Sequence, residues 1–304
     1  MSSQLSTQSA TVIATYSRRM GLRLENGEQV KARIKGKRIK PVCGDSVLAE
    51  PLENETDWLI TSIQERRNEL TRPNMRGQIE VLAANVDALI VVAAVSPMPD
   101  WFIVDRYLCA AELMGVNAVV VFNKIDLLRD VDIEIPELQE YRDIGLPVIE
   151  CSADDGDGID DLLAALADQC AIVVGQSGVG KSSLINKLVA DSDLRTADIS
   201  AKSGEGRHTT VNSVMIPLLS GGAVIDSPGV RDYAPALTDV SDAASGFREI
   251  AVAAEACRFA NCRHLREPGC AVKAAVDADT ISYRRYESFK RVVNLTEQLA
   301  AGKY

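Results

Sequence analysis

The chain has 304 residues and carries 33 basic against 43 acidic side chains for a net charge of −10, with 46% apolar residues, so it has length for two or three domains and at least one sizeable core. It contains no run of eighteen or more apolar residues, and Met1 to Ser9 lacks the charged and apolar regions of an export signal; both features argue against a membrane span and for the cytoplasm. The acidity argues against a protein that coats itself in nucleic acid, and seven cysteines, an odd number, argue against a disulfide framework.

Residues 1–10 are polar and read as a disordered tail. From 11 to 72, short alternating segments such as Thr11–Thr15 and Gln29–Ile34 are punctuated by Asn26-Gly27, Lys35-Gly36-Lys37 and Cys43-Gly44-Asp45. That pattern predicts a small β-barrel or β-sandwich. Between Arg18 and Lys40 nine basic residues face only Glu25 and Glu28, a local charge of +7. A charge run alone would be a solvated face, but on a small barrel of the size that OB-folds use for oligonucleotides it points to RNA contact. Residues 71–80, with Arg72-Pro73-Asn74 and Arg76-Gly77, read as a linker.

Beyond the linker the pattern changes. Ala88–Val95, Ala118–Phe122, Pro147–Glu150 and Ala171–Val174 are short apolar runs suited to strands buried on both faces. Helical spacing over about 101–114 and 159–166 separates them, and this alternation predicts a parallel, doubly wound α/β sheet. Ser203–Gly206 reads as a flexible stretch, and Val211–Leu219 and Ala223–Ile225 as two further strands.

Gly175-Gln176-Ser177-Gly178-Val179-Gly180-Lys181-Ser182 fits G-x-x-x-x-G-K-[ST], with a strand before it and helical spacing from Ser183 after it. Glycines there let main-chain N–H groups close around phosphate oxygens. Lys181 would reach the β- and γ-phosphates, and the Ser182 hydroxyl would ligate Mg²⁺. The alternative, a glycine-rich turn opening a helix, explains less, because strand, loop and helix agree.

Three further motifs follow predicted strands. Asp126 of Asn123-Lys124-Ile125-Asp126 can accept two hydrogen bonds from the edge of guanine that adenine lacks, which disfavours an ATPase. Ser152 and Ala153 fit a loop backing the base with a main-chain N–H. Asp226-Ser227-Pro228-Gly229 fits D-x-x-G, in which Asp226 holds the Mg²⁺ shell and the Gly229 amide the γ-phosphate; for Asp226 alone, a strand-ending turn is the plainer reading. Ordinary GTPases run phosphate loop, D-x-x-G, N-K-x-D, S-A. Here the last two precede the phosphate loop, so the domain is circularly permuted, and the C-terminal segment follows directly on the second switch.

Cys43, Cys109, Cys151 and Cys170 are scattered and read as small apolar side chains. Cys257, Cys262, His264 and Cys270 are spaced C-x₄-C-x-H-x₅-C, three thiolates and an imidazole suited to one tetrahedral structural Zn²⁺. Downstream, Tyr283-Arg284-Arg285-Tyr286 and Phe289-Lys290-Arg291 either pack a helix on the zinc module or touch RNA.

The permuted order, with a basic barrel before it and the cysteine cluster after it, resembles the RsgA (YjeQ) family of small ribosomal subunit-dependent GTPases over nearly the whole chain from about residue 11. The resemblance implies an OB-fold (11–72), a permuted P-loop GTPase domain (73–236) and a helical zinc-binding module (237–304) that uses the same four ligands. It also implies GTP with Mg²⁺, binding to the maturing small subunit and its rRNA, subunit-stimulated hydrolysis late in assembly coupled to release of maturation factors, and a monomer away from membranes. Gly206-Arg207-His208-Thr209-Thr210 resembles the family's first switch: Thr209 or Thr210 would cover Mg²⁺ and His208 would position water, with Arg207 or Arg231 as charge stabilisers. Val230 stands where many GTPases place a water-orienting glutamine, which predicts slow intrinsic hydrolysis. It also leaves a rival reading, a slow nucleotide-sensing RNA-binding scaffold.

Overall fold

The computed structural model describes residues 6–17, 19–36, 38–73, 78–130, 133–189, 211–227 and 240–300. Strands β1 (Gln8–Tyr16), β2 (Met20–Leu24), β3 (Gln29–Ile34), β4 (Ser46–Pro51) and β5 (Trp58–Ile63) close on themselves. β1 pairs with both β2 and β4, β2 with β3, and β3 runs parallel to β5, which returns to β4. Alternate residues point inward, and Val12, Leu22, Ala32, Val47, Ala49 and Ile60 are fully buried in the barrel. Residues 8–10, expected in the tail, are part of β1, because Gln8, Ser9 and Ala10 pair with Ala49, Leu48 and Val47.

The expected linker is instead built around a hairpin. β6 (Glu69–Pro73) and β7 (Ile79–Ala84) pair antiparallel as a separate two-stranded sheet. Proline and glycine between Arg72 and Gly77 read as loop chemistry, but Leu70 and Ala83 drive both strands into the core that covers one face of the central sheet.

That central sheet comprises β8 (Ala88–Ala94), β9 (Asn117–Asn123), β10 (Val148–Cys151), β11 (Cys170–Gly175), β12 (Val211–Pro217) and β13 (Ala223–Asp226), in the order β10-β9-β8-β11-β13-β12. The first five are parallel and β12 is antiparallel to β13. Every residue of β8 is buried, as a strand covered on both faces requires. One face packs α1 (Trp101–Met114) and α2 (Pro136–Asp143); the other packs α3 (Ile159–Ala165) and α4 (Lys181–Val189). β12 also pairs with β1, Ala14 against Val214 and Thr15 against Ser213, so barrel and central sheet form one continuous ladder.

After a 3-10 turn (Val240–Gly246) come α5 (Arg248–Ala254), α6 (Ala271–Asp277) and α7 (Tyr283–Ala300). Phe247, Ile250, Val272, Phe289, Val292 and Val293 form their core together with Cys109 of α1. The module is clamped along α1. A Cβ on Gly246 would lie 2.2 Å from Cys109 Sγ, and Arg248 pairs with Glu112. Arg284 and Arg285 turn inward onto Asp105 at 2.8 Å each, Arg285 also bonds Glu249, and Tyr286 and Phe289 are buried. Of the two readings of 283–291, these four residues therefore take the packing one.

Cys43, Cys109 and Cys151 are fully buried, and burial pushes the Cys109 and Cys151 thiols up to about 12, so they behave as inert apolar side chains. Among the described residues no helix is long and apolar enough to cross a membrane.

Candidate nucleotide site and metal centre

Four parallel strands, β10 and β9 on one side of β8 and β11 and β13 on the other, end at the same edge of the sheet, each in an expected motif: β10 at Cys151, β9 at Asn123, β11 at Gly175 and β13 at Asp226. Ligands collect at this edge of an open α/β sheet. The loop after β11 is tightly fitted. Gly175 and Gly180 have φ of 135° and 91°, and a Cβ on either would lie 2.2 Å from Val92 O or 2.4 Å from Asn123 Nδ2. Buried Val179 and the apolar face of α4 (Leu184, Ile185, Leu188) fix the loop from below. Ser177, Gly178, Ser182 and Ser183 remain exposed at its mouth. Lys181 opens α4, and its Nζ donates to the carbonyls of Gly175 (2.8 Å) and Gln176 (2.6 Å).

The N-K-x-D residues hold this loop to the rest of the edge. Asn123, buried, donates from Nδ2 to Val179 O (2.9 Å) and accepts the Ala153 amide on Oδ1 (3.0 Å). Of the main-chain N–H groups in the loop expected to back the base, that of Ala153 is thus engaged by Asn123. Lys124, left-handed at φ 67°, donates from Nζ to Ser96 O (2.6 Å) and Gly178 O (2.8 Å). The Ser152 hydroxyl, fully buried, donates to Asp126 Oδ1 (2.7 Å) and so fixes the orientation of that carboxylate.

Two contacts escaped the sequence reading. Arg129 binds Asp155 (2.6 Å) and Asp157 (2.8 Å), tying the Asp126 turn to the Ser152 loop; opposite charges more than twenty residues apart carry no local signal. Gln176 accepts the Asp100 amide on Oε1 (3.1 Å), reaching from the phosphate loop to the start of α1.

Burial pushes the Asp226 carboxyl above its ordinary value, against the pull of Lys181. A half-buried carboxylate at a strand end, with the Ser182 hydroxyl on the first turn of α4 beyond the neighbouring strand, is a hard-oxygen donor set that suits Mg²⁺. His208, Thr209, Thr210 and Gly229, with Arg207, Val230 and Arg231, lie outside the described residues.

The second cluster is preorganised for a metal. Cys257 follows α5 and Cys270 caps α6. His264, at φ 60°, turns its ring back between them. Cys257 Sγ and Cys270 Sγ lie 3.5 and 3.6 Å from His264 Nδ1 and 3.9 Å from each other, and all four donor atoms fall within 4.8 Å. Tetrahedral bonds of about 2.0–2.3 Å put donors roughly 3.5–3.8 Å apart, so three sulfurs and one nitrogen fit a closed zinc site. Burial brings the His264 imidazole below its ordinary value, against the pull of Glu267, which favours the neutral form a ligand needs, and the Tyr286 hydroxyl donates to His264 O (2.6 Å). For Cys257, burial opposes the thiolate, but the Val272 and Ala271 amides and the adjoining cysteines outweigh it and bring the thiol below its ordinary value.

The family model of the RsgA GTPase matches residues 63–235, more than half of the chain. This chain belongs to the RsgA GTPase family. The "Small ribosomal subunit biogenesis GTPase RsgA" of Shewanella oneidensis is 36% identical over 98% of this chain and 86% of its own length. The RsgA of the same description from Alcanivorax borkumensis is 39% identical over 86% of this chain and 75% of its own. Among solved structures, YjeQ from Thermotoga maritima superposes with a TM-score of 0.72 at 27% identity, covering 96% of this chain and 99% of that one. YloQ, described as a circularly permuted GTPase, gives 0.71 at 25% identity over 98% of each chain. The N-K-x-D and S-A segments preceding the phosphate loop here accord with that permuted RsgA architecture.

Proposed function

We propose that the chain hydrolyses GTP to GDP and phosphate while bound to the maturing small ribosomal subunit, in a late step of its assembly that releases maturation factors. The observation that carries this reading is the convergence of four nucleotide motifs, in permuted chain order, on strand ends along one edge of the sheet, in a chain whose relatives are named small ribosomal subunit biogenesis GTPases. Asp126, held by Ser152, reads guanine. The phosphate loop and Lys181 cradle the phosphates. Ser182 and Asp226 hold Mg²⁺, which when bound neutralises phosphate charge, and Gly229 contacts the γ-phosphate. His208 orients the attacking water, and Thr209 or Thr210 covers the metal. The zinc held by Cys257, Cys262, His264 and Cys270 is structural.

The working division is a tail, an RNA-binding barrel to about 72, a GTPase domain to about 236 and the zinc module beyond. On the barrel Arg19 and Arg33 pair with Asp57, whereas Arg23, Lys31, Lys35, Arg38 and Lys40 are exposed and form the face offered to rRNA. A cytoplasmic monomer fits this task.

Val230 favours a second reading, a slow guanine-nucleotide-sensing RNA-binding scaffold. GTP turnover with and without purified small subunits separates the two. The proposal expects turnover to rise by an order of magnitude or more with subunits, and unchanged turnover selects the scaffold.

Base choice is tested through Asp126. Asp126→Asn removes an acceptor that guanine needs and creates a donor that xanthine can use. A bidentate pair is worth about 1–3 kcal/mol, so the GTP over XTP preference should fall by roughly five- to a hundredfold in competition binding. An unaltered preference would assign base recognition elsewhere.

A further inference from the structure

α1 touches the phosphate loop at one end and the zinc module along its length. At its start the Asp100 amide donates to Gln176 Oε1 (3.1 Å). Just before it, Lys124 Nζ ties Ser96 O to Gly178 O, and Pro97 lies 3.5 Å from where a Cβ on Gly178 would sit. Along the helix, Asp105 binds Arg284 and Arg285, and Cys109 packs on Gly246. Glu112 binds Arg248, which also reaches the carbonyls of Ile144 (3.3 Å) and Gly145 (3.2 Å). Between these anchors the helix is one piece. The Asp100 side chain caps its first turn, Gly115 closes its last in the left-handed conformation, and Val104, Tyr107, Leu108 and Ala111 bury one face. A fourteen-residue helix with caps at both ends and a buried face shifts as a unit, so what fixes its body also fixes its N-terminus.

Nothing in G-x-x-x-x-G-K-[ST] calls for glutamine at its second position. The Gln176 side chain is aimed at a residue 76 positions away in sequence. We propose that Gln176 is a positioning residue. Its side-chain carbonyl holds the phosphate loop on the N-terminus of α1, so that the zinc module clamped along α1 sets the affinity of the loop for a guanosine diphosphate. The proposal rests on the nucleotide reading given above. Linkage makes the coupling reciprocal: nucleotide bound at the loop must bias the seating of the module by the same factor.

The test is a double-mutant cycle on the zinc-loaded full chain, read as the dissociation constant for GDP, which does not depend on turnover. Gln176→Met keeps the length of the side chain and loses the acceptor; GDP affinity should fall about fivefold, the weight of one neutral hydrogen bond. Arg248→Met touches no nucleotide motif and should weaken GDP two- to threefold, because the clamp on α1 loosens. The double variant should bind no more weakly than Gln176→Met alone, since the path is already broken. Effects that multiply, or an Arg248→Met chain with wild-type affinity, overturn the proposal while leaving the nucleotide site intact. A wild-type chain that fails to bind GDP overturns the nucleotide reading and this inference together. Zinc content and melting temperature are recorded for each variant, and Glu112→Gln, which removes the charged partner of Arg248, replaces Arg248→Met if that variant loses its metal.

Discussion

Stripping zinc with a chelator, or replacing Cys270 by serine, is expected to melt the segment from Cys257 to Cys270 and with it the packing of α5, α6 and α7. Residues 257–270 contain no regular helix or strand, and Cys257 and Cys270 approach to 3.9 Å only at the donor cluster. Cys270 is also the residue from which α6 starts, so losing its bond frees the first turn of that helix. The surrounding core is small, and three of the residues packed in or against it (Cys257, Cys262 and Cys270) are zinc ligands. Structural zinc contributes about 10–16 kcal/mol of apparent binding free energy in isolated finger peptides, far more than such a core supplies. Far-UV circular dichroism should lose the contribution of α5–α7 while the parallel sheet and barrel keep theirs, and the thermal transition that remains should be smaller and lie lower than that of the zinc-loaded chain. Cys43→Ser, a burial change remote from the cluster, should leave zinc content at one per chain. A chelated protein with an unchanged spectrum and a single unchanged transition would mean that the module folds on its apolar core alone.

What could be read from the chain is what chemistry confines to a few consecutive residues. The phosphate loop, the N-K-x-D segment ending at Asp126 and the zinc ligands each need fixed residue types at fixed short spacing, so local pattern reveals them. Strands such as β8, buried on every residue, announce themselves as unbroken apolar runs. Missed features depend on partners far away in sequence. The hairpin of β6 and β7 looked like a loop because Pro73 and Gly77 dominate its composition, whereas burial of Leu70 and Ala83 against residues of another layer decides it. The ladder between β1 and β12 joins residues about two hundred positions apart, and no periodicity in either strand names the other. The same limit applied to Arg284 and Arg285. Their alternation with aromatic residues suits RNA or packing equally, and the residue that selects packing is Asp105, 179 and 180 positions earlier. The zinc module follows the second switch in the chain, and the element it packs against is α1.

Asp105→Ala is expected to be among the most destabilising single substitutions outside the metal centre. The carboxylate is fully buried and accepts three hydrogen bonds, from the Tyr141 hydroxyl (2.7 Å), Arg284 Nη1 (2.8 Å) and Arg285 Nη1 (2.8 Å). Arg285 is itself buried and keeps its charge because Asp105 and Glu249 offset the burial that opposes it; the Tyr141 hydroxyl is held protonated by burial, with Asp105 adding to it. Removing Asp105 leaves one guanidinium with Glu249 and the other with Glu140, two cations sharing a space from which a buried anion has gone. Breaking a buried ion pair from one side costs about 3–5 kcal/mol, and for a protein of this size each kcal/mol moves the melting temperature by roughly 2–4 °C. A drop on the order of 10 °C is therefore expected in the melting temperature of the zinc-loaded chain. The cost comes from the stranded charges and not from lost attraction. Asp105→Leu combined with Arg284→Met, Arg285→Met, Glu140→Gln and Glu249→Gln, which removes the cations together with all three of their carboxylate partners, should accordingly recover most of the loss. If that combined variant is as unstable as Asp105→Ala, the joint depends on the network itself, and shape-matched apolar packing cannot replace it.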